Sequence, residues 1–233
     1  MRIHRLHTWN LSPKEAVTLQ RGLADRVVAD SPPPRCTLIA GADVSYNKFS
    51  PTIFAGVVVL RLPDLTVVER RGASVECHFP YIPGLLSFRE APALLAAFAK
   101  VKASPNAVML DGQGFAHPRR LGLACHIGLW LDRPCFGCAK SLFVGKFDEP
   151  DRQAGACSPL TDKGATIGAL VRTKTGVQPV FVSAGHKIDL AGAVAVVLGS
   201  ARGYRIPEPT RRAHLYVNAL RRAANRSGAG EPP

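Results

Sequence analysis

The residues best suited to chemistry in this sequence are three carboxylates in largely apolar surroundings. Asp43 interrupts the segment "IAGADVSY", Asp111 follows the apolar run "NAVML", and Glu90 stands near the start of a segment with helical spacing. A buried carboxylate is costly unless a cation, a hydrogen-bond donor or a proton compensates its charge. Three acids at one point also repel each other, and oxygen ligands with few soft donors suit Mg²⁺ or Mn²⁺. The sequence therefore predicts a divalent metal site, provided that the three elements meet in space.

Each acid also has a purely structural interpretation. Asp111 could cap the loop that follows it, and Glu90 could favour its helix through the helix dipole. Asp43 is the hardest to explain in this way, because its strand is otherwise apolar or small. The residues alone leave both interpretations open.

The charge balance indicates a polyanionic partner. The chain has 233 residues and a formal net charge of +13. A basic surface attracts and steers phosphate backbones, although basic charge can also serve solubility alone. A basic protein with an acidic, metal-holding centre favours phosphodiester cleavage, because a metal ion activates water and stabilises charge on the attacked phosphate. The segment "GQGFAHPRR" after Asp111 fits this interpretation, since glycines let backbone approach a substrate closely.

Two observations favour a cytoplasmic protein without a membrane partner. The N-terminal segment "MRIHRLHTWNLSPKEAV" has no apolar signal region. The most apolar stretch, residues 190–201, is shorter than the roughly 20 residues that span a bilayer. Thiols stay reduced in the cytoplasm, so we expect the six cysteines to be small core residues. Cys135 and Cys138 form a C-x-x-C, but a structural zinc site usually has four ligands, which favours core packing over metal or redox use.

Capping residues and hydrophobic spacing predict the order of helices and strands. A helix begins after Ser12, with Pro13 in its first turn and Glu15 completing a capping box, and it runs past Val27 to "SPPPR". Three strands in an antiparallel meander follow, at residues 36–46, 52–62 and 66–79. The later elements are a helix capped by Ser87 with Glu90 in its first turn, running to about Lys102, a buried strand at 106–111, a helix at 120–132, a strand at 134–142, a polar loop at 144–164, a hairpin of strands at 165–173 and 179–185, and helices at 189–201 and 210–225.

This order predicts one α/β domain over residues 1–225. Its mixed sheet contains three antiparallel strands and then strand–helix units, and helices flank it. Residues 226–233, "RSGAGEPP", are expected to form a disordered tail. We expect a monomer.

Five segments strongly resemble the endonuclease V family, the deoxyinosine-directed repair nucleases. They are "PYIPGLLSFRE", "DGQGFAHPRRLGLACHIG", "AKS", "SAGHKI" and "GYRIPEPTRRAH", they occur in the family order, and the similarity extends from about Ser12 to His214. The resemblance implies an RNase H-like fold. It also implies Mg²⁺-dependent hydrolysis of the second phosphodiester bond 3′ to a deoxyinosine in DNA, leaving 3′-hydroxyl and 5′-phosphate ends, with Mn²⁺ as a possible substitute.

The resemblance further implies roles for individual residues. Asp43, Glu90 and Asp111 would be the metal carboxylates, and His214 in "RRAH" would lie beside the metal centre. Lys140 in "AKS" would contact the scissile phosphate, for which a compact ammonium is suited. Without the resemblance, His214 is typical of an exposed helix histidine and Lys140 of a lysine at the end of a strand.

The same resemblance predicts how the lesion is recognised. Tyr81 would be a wedge that stacks where the extruded base stood, although a core tyrosine is the alternative. Extruding a base costs a few kcal/mol, and least for a mismatched or damaged base. The base pocket and its surroundings would be formed largely by backbone, from Pro83, Gly84, Leu85, Leu86, Gly112 and Gly114, and the nicked strand would be held by His117, Arg119 and Arg120.

Some residues and functions stay open at this point. His126 and His186 are interpreted as structural, and the arginines of the last helix suit DNA binding or a solvated face equally well. Three other functions fit: an inosine-specific endoribonuclease, a four-way-junction resolvase of the same fold, and a nucleic-acid-binding protein without catalysis. Intact acids at all three positions argue against the last.

Overall fold

The computed structural model describes residues 1–32 and 35–228, and within that part of the chain it has eight strands and five helices. The strands are β1 (Leu38–Tyr46), β2 (Thr52–Arg61), β3 (Val67–Glu76), β4 (Ala107–Leu110), β5 (Cys135–Ala139), β6 (Cys157–Asp162), β7 (Ala165–Val171) and β8 (Val180–His186). The helices are α1 (Pro13–Ala24), α2 (Leu86–Ala99), α3 (Leu123–Leu131), α4 (Leu190–Gly199) and α5 (Glu208–Gly228).

All eight strands form one mixed sheet in the order β3-β2-β1-β4-β5-β8-β7-β6. The first three strands are an antiparallel meander, as predicted. Strands β1, β4 and β5 are parallel neighbours, which agrees with the buried character of "NAVML". The predicted hairpin of β7 and β8 is also present. The α/β class and the RNase H-like arrangement are therefore confirmed.

The strand period of two places successive residues of β1 against different helices. Ala40 and Ala42 pack in a core with residues of α2 and α3. Ile39 packs on the other face, in a core that contains Ala193 of α4 and Ala213 of α5. Residues at odd positions of β1 therefore face the α5 side of the sheet.

Helix α1 ends earlier than its hydrophobic spacing predicts. Its capping box is present, with the Ser12 side chain accepting from the Glu15 backbone and the Glu15 side chain accepting from the Ser12 backbone. The helix nevertheless stops at Ala24 instead of continuing past Val27. The reason is tertiary, because Val28 is hydrogen-bonded to the end of β8 and the residue after it. Lys187 N donates to the Val28 carbonyl at 2.6 Å, and Val28 N donates to His186 Nδ1 at 3.3 Å.

Helix α2 begins at Leu86, and its N-cap is Leu85 rather than Ser87. The Ser87 hydroxyl does not cap the helix, because it is hydrogen-bonded to His126 of α3, with 3.0 Å between Oγ and Nδ1. Glu90 is consequently in the second turn and not in the first.

Two further boundaries differ from the prediction. The supposed polar loop at 144–164 contains β6, which pairs with β7 through a turn at Lys163 and Gly164. Both turn residues have positive φ, the conformation of a two-residue hairpin turn. Helix α5 reaches Gly228 instead of ending at 225. The rest of the predicted disordered tail, residues 229–233, lies outside the described residues.

All six cysteines are free thiols. Cys135 and Cys138 are buried in β5 and belong to the two cores, as predicted. Cys157 is exposed, which corrects the expectation that every cysteine is a core residue. In the described part of the chain, no helix combines the length and apolar character needed to cross a bilayer.

Candidate active site

Asp43 and Asp111 lie side by side because their strands are parallel neighbours. The ladder between β1 and β4 ends at the pair Ala42 and Leu110, one residue before each acid. The backbone N–H of Asp111 donates to the Ala42 carbonyl at 3.1 Å, which continues the ladder past the end of β4. Since Ile39 and Asp43 are four positions apart in β1, the Asp43 side chain lies on the face of the sheet that α5 covers.

Helix α5 brings His214 to this pair. The approach requires Gly41, because a Cβ at that position would lie 1.9 Å from the Pro209 carbonyl oxygen. His214 Nδ1 then lies 2.8 Å from Asp43 Oδ2. Ligand atoms of Asp43, Asp111 and His214 all lie within 4.8 Å of one another. Sequence positions 171 residues apart thus meet at one point.

Lys140 follows β5, the next strand of the sheet, and forms an ion pair with Asp111. Burial lowers the pKa of the Lys140 ammonium, but the neighbouring Asp111 carboxylate outweighs it and the pKa is raised overall. The predicted lysine therefore stays charged beside the acid cluster, with its side chain 42% exposed to solvent.

Glu90 approaches the cluster from α2 and is almost completely buried, with 5% of its surface exposed. Burial, then the charges of Asp43 and Asp111, raise its pKa to about 8. In the part of the chain that the structure describes, Glu90 is not one of the residues whose ligand atoms lie within 4.8 Å of one another. The structure thus places the third predicted carboxylate within electrostatic reach of the other two, on a different element.

The donor set fits a divalent cation. Burial and the neighbouring Asp111 also raise the pKa of Asp43, to about 6, although the hydrogen bond from His214 partly offsets this. Such mutual repulsion between buried carboxyl groups is what a bound cation relieves. Two or three carboxylate oxygens with one imidazole nitrogen match the preferences of Mg²⁺ or Mn²⁺ better than those of a thiol-bound metal.

A cavity of about 330 Å³ opens next to the acids, between the loop before α2 and the loop after β4. Asp111 and its ion-pair partner Lys140 form part of its wall, so the cavity is continuous with the cluster at Asp111. Its other lining residues are Gln20, Tyr81, Ile82, Pro83, Gly84, Leu86, Ser87, Gly112, Gln113, His117, Leu121, Gly122, Leu123, Ala139, Ser141, Leu142 and Phe143.

The wall at Gly84 is held by three hydrogen bonds to one carbonyl. Gly84 has φ of 83°, and its oxygen accepts from Gln20 Nε2 at 3.0 Å, His117 Nε2 at 3.0 Å and Arg119 Nη2 at 2.8 Å. Burial and the adjacent Arg119 lower the pKa of His117 to about 4, so its ring is neutral. His117 and Arg119, predicted to hold the nicked strand, therefore support the pocket wall in this structure.

Other predicted residues have distinct positions. Tyr81 is 64% exposed at the rim of the cavity, which excludes the core alternative. Leu85 is buried in the core, and Gly114 donates its N–H to Ser183 Oγ at 2.8 Å. Neither Leu85 nor Gly114 is among the described residues that line the cavity. Arg120 forms an ion pair with Asp162 at 2.7 Å.

The remaining histidine and arginine interpretations have structural counterparts. His126 is fully buried, as expected. His186 accepts a hydrogen bond at Nδ1 from the Val28 backbone at 3.3 Å. Arg211 and Arg212 both pair with Glu208, and Arg221 donates to Ser45 Oγ, so these arginines are partly engaged within the protein.

Sequence reasoning missed Gln113 and Gln20. Gln113 Nε2 donates to the Ser141 carbonyl at 3.0 Å, and its Oε1 is buried without a hydrogen-bond partner at the wall of the cavity. Its place between two glycines after Asp111 was the available signal. Gln20 lies on a distant helix, and its polar side chain among the apolar positions of "AVTLQRGL" was the only indication that it is buried.

Comparison with known proteins identifies the family of this chain. The family profile described as Endonuclease V matches residues 21–215. An endonuclease V of Gloeobacter violaceus is 49% identical over 221 residues, which cover 94% of this chain and 90% of that protein. The crystal structure of the Streptomyces avermitilis endonuclease V is 38% identical with a TM-score of 0.90, covering 97% of this chain and 100% of that one.

A second similar structure contains a nucleic acid. It is the Ciona intestinalis endonuclease V in complex with a 24mer DNA containing an inosine followed by a ribo-adenosine. This protein is 27% identical, with a TM-score of 0.79 over 91% of this chain and 98% of that one. The profile match extends over most of the chain and includes the five residues of the candidate site, Asp43, Glu90, Asp111, Lys140 and His214. The chain therefore belongs to the endonuclease V family of nucleases.

Proposed function

We propose that this protein hydrolyses the second phosphodiester bond 3′ to a deoxyinosine in DNA, in a Mg²⁺-dependent reaction that leaves 3′-hydroxyl and 5′-phosphate ends. One observation carries the proposal: Asp111 belongs both to the acid cluster and to the wall of the adjacent cavity, where Lys140 is paired with it. A base extruded into the cavity has the backbone of its own strand next to the acids. The Ciona relative, bound to inosine-containing DNA, supports this choice of base.

Asp43 and Asp111 are the residues that would hold Mg²⁺ or Mn²⁺, with Glu90 as a further carboxylate and His214 beside them. When bound, the ion supplies an activated water and neutralises charge on the attacked phosphate. The fully buried setting of Glu90 strengthens its electrostatic effect on the other two acids.

Lys140 and His214 act at the phosphate. The Lys140 ammonium is fixed by Asp111 and remains partly exposed, so it can contact a phosphate oxygen in the cleft. Asp43 orients the His214 ring through Nδ1, and this ring can hold a proton beside the leaving oxygen. Removal of either group leaves the acids in place and weakens only the step that it assists.

The loop before α2 recognises the lesion. Tyr81 projects from the rim and fills the space that the extruded base leaves in the stack. Backbone N–H groups near Gly84, Leu86 and Gly112 donate to the carbonyl oxygen of hypoxanthine at close range, and they exclude the amine of adenine. His117 and Arg119 keep Gly84 in position for this contact.

A second candidate is cleavage of inosine-containing RNA. One observation favours it, because the nucleic acid bound by the Ciona relative has a ribo-adenosine directly after the inosine. The proposed roles of the acids and of the base pocket are unchanged in this case. The difference lies in the sugar beside the scissile bond.

The decisive experiment maps the cut to the nucleotide. End-labelled duplexes that differ only in one deoxyinosine or deoxyadenosine are incubated with the protein in Mg²⁺ or in EDTA. We expect a single nick at the second phosphodiester bond 3′ to the lesion. The nick should form only in the inosine duplex and only with Mg²⁺. Equal cutting of the adenine duplex, or cutting in EDTA, contradicts the proposal. Matched RNA strands and four-way junctions distinguish the ribonuclease and resolvase alternatives.

A substitution pair separates catalysis from folding. Asp43→Ala removes one metal carboxylate and is expected to abolish nicking while leaving binding to the inosine duplex measurable. Asp64→Ala removes an exposed aspartate from the turn between β2 and β3, at the opposite end of these strands, and serves as the control. A catalytically inactive binding protein would show the same binding for both variants and no Mg²⁺-dependent turnover in the parent.

A further inference from the structure

A buried hydrogen-bond chain begins at the base cavity and leads away from it. Ser87 lines the cavity, and its Oγ lies 3.0 Å from His126 Nδ1. His126 Nε2 lies 2.8 Å from His7 Nε2, and His7 Nδ1 lies 2.7 Å from the Thr8 carbonyl oxygen. Nothing in the proposed catalytic steps uses these groups.

The Thr8 end of this hydrogen-bond chain fixes the direction of every hydrogen bond in it. A carbonyl oxygen can only accept, so His7 Nδ1 carries a hydrogen and donates to Thr8. Burial lowers the pKa of His7, so the ring is neutral and its Nε2 has only a lone pair. The Trp130 indole N–H, which can only donate, also points to this Nε2 at 3.4 Å. Two independent constraints thus make His7 Nε2 an acceptor.

The consequence reaches Ser87 in two steps. Because His7 Nε2 accepts, His126 Nε2 must carry a hydrogen and donate. Complete burial lowers the pKa of His126 to about 3, so the ring is neutral and its Nδ1 is an acceptor. The hydroxyl hydrogen of Ser87 is therefore committed to His126 Nδ1. Oγ retains lone pairs and has no hydrogen to offer to any other group.

We propose that Ser87 presents an acceptor oxygen to the base in the cavity and thereby selects bases that carry a hydrogen on ring nitrogen N1. Hypoxanthine has this N1–H, whereas adenine has an unprotonated N1 whose lone pair would oppose the Ser87 lone pairs. The inference rests on the proposed function, and it adds a polar specificity contact to the backbone donors that recognise the carbonyl oxygen. His126 and His7 are positioning residues that act through Ser87.

The polarity of the chain is tested first in the unaltered protein. Long-range ¹H–¹⁵N NMR spectra identify which nitrogen of each imidazole carries a hydrogen. We expect His126 to be protonated at Nε2 and His7 at Nδ1. A hydrogen on His126 Nδ1 overturns the inference, because Ser87 would then be free to donate.

The selection is tested by competition binding in EDTA, where no cutting occurs. Unlabelled duplexes that contain deoxyinosine or purine deoxyriboside, whose base lacks the N1 hydrogen and the carbonyl, compete with a labelled inosine duplex. We expect Ser87→Ala to reduce the preference for inosine over purine by about three- to tenfold, as for one neutral hydrogen bond. Ser200→Ala, which removes another buried hydroxyl, on Ser200 at the end of α4, keeps the parental preference.

The outcomes separate this inference from the proposed function. An unchanged preference in Ser87→Ala overturns the inference, as does a parent protein that binds both competitors equally. If the parent also nicks the inosine duplex in Mg²⁺, the proposed function stands without the Ser87 contact. If the parent does not nick inosine duplexes at all, both proposals fail.

Discussion

Replacing Glu90 by glutamine should stabilise the metal-free protein while it removes activity. Glu90 is buried on α2, where the charges of Asp43 and Asp111 act on it. Glutamine has nearly the same shape and no charge. The substitution therefore removes the repulsion and the desolvation cost but also removes a carboxylate proposed to serve the metal.

The size of the effect follows from the pKa of the buried carboxyl group. Its pKa is about 8 in the folded chain, against an ordinary value of 4.5, and this difference corresponds to about 5 kcal/mol as an upper bound. The folded state binds the proton on Glu90 more tightly than the unfolded state does. The resulting contribution to the free energy of unfolding is therefore fully present below pH 4.5 and is lost as the pH rises through about 8. At pH 5 the parent and Glu90→Gln should differ by less than about 1 kcal/mol.

The assay is urea unfolding in EDTA at pH 5 and at pH 8.5. We expect Glu90→Gln to be more stable than the parent by several kcal/mol at the higher pH. Glu76→Gln, at the exposed end of β3, is the control and should follow the parent. Buried histidines such as His117 and His126 have lowered pKa values, so their contribution to the free energy of unfolding increases as the pH rises. Comparing variants at the same pH cancels this contribution.

Two results would refute this reasoning. The first is an equal loss of stability in the parent and in Glu90→Gln between the two pH values. The second is a parent whose stability at pH 8.5 does not rise when Mg²⁺ replaces EDTA, because a bound cation should relieve the same repulsion.

Three other substitutions probe the site. His214→Ala should lower the nicking rate at least about a hundredfold, as expected for loss of a proton-transfer group, with unfolding little changed because the side chain is 49% exposed; a parental rate would remove His214 from the mechanism. Tyr81→Ala should change stability by less than about 0.5 kcal/mol but reduce the preference for inosine over adenine duplexes in a nicking assay. An unchanged preference rejects the wedge. Gly41→Ala places a Cβ 1.9 Å from the Pro209 carbonyl and should destabilise the fold by about 3 kcal/mol or more in urea. Parental stability would show that α5 does not depend on this close approach.

The sequence was sufficient where the signal is local. The apolar runs around Asp43 and Asp111 identify two strands, and the short connections between the first three strands predict the meander, which leaves one side of β1 free to pair with β4. Once β1 and β4 are parallel neighbours, the two aspartates must meet. The capping box at Ser12 is likewise a short-range pattern, and it was predicted correctly.

The sequence was insufficient where a distant segment decides the outcome. The end of α1 is set by hydrogen bonds of Val28 to His186 and Lys187, which no local spacing reveals. Ser87 is a good capping residue by type, but a histidine 39 positions away takes its hydroxyl. The arrangement of the base pocket depended on the resemblance to a family, and the support that Gln20 gives to Gly84 became visible only in three dimensions.

The crossing of α5 over β1 has a consequence for the order in which activity appears. A nascent chain that has folded only as far as β8 already holds both aspartates, since their strands need nothing beyond β5 to pair. It lacks the imidazole, and the sheet face around Val58 has no cover from Ala213 or Val217. We therefore expect a partly synthesised chain to lack both the cover of this sheet face and the imidazole beside the acids, so that full nuclease activity depends on docking of the final helix.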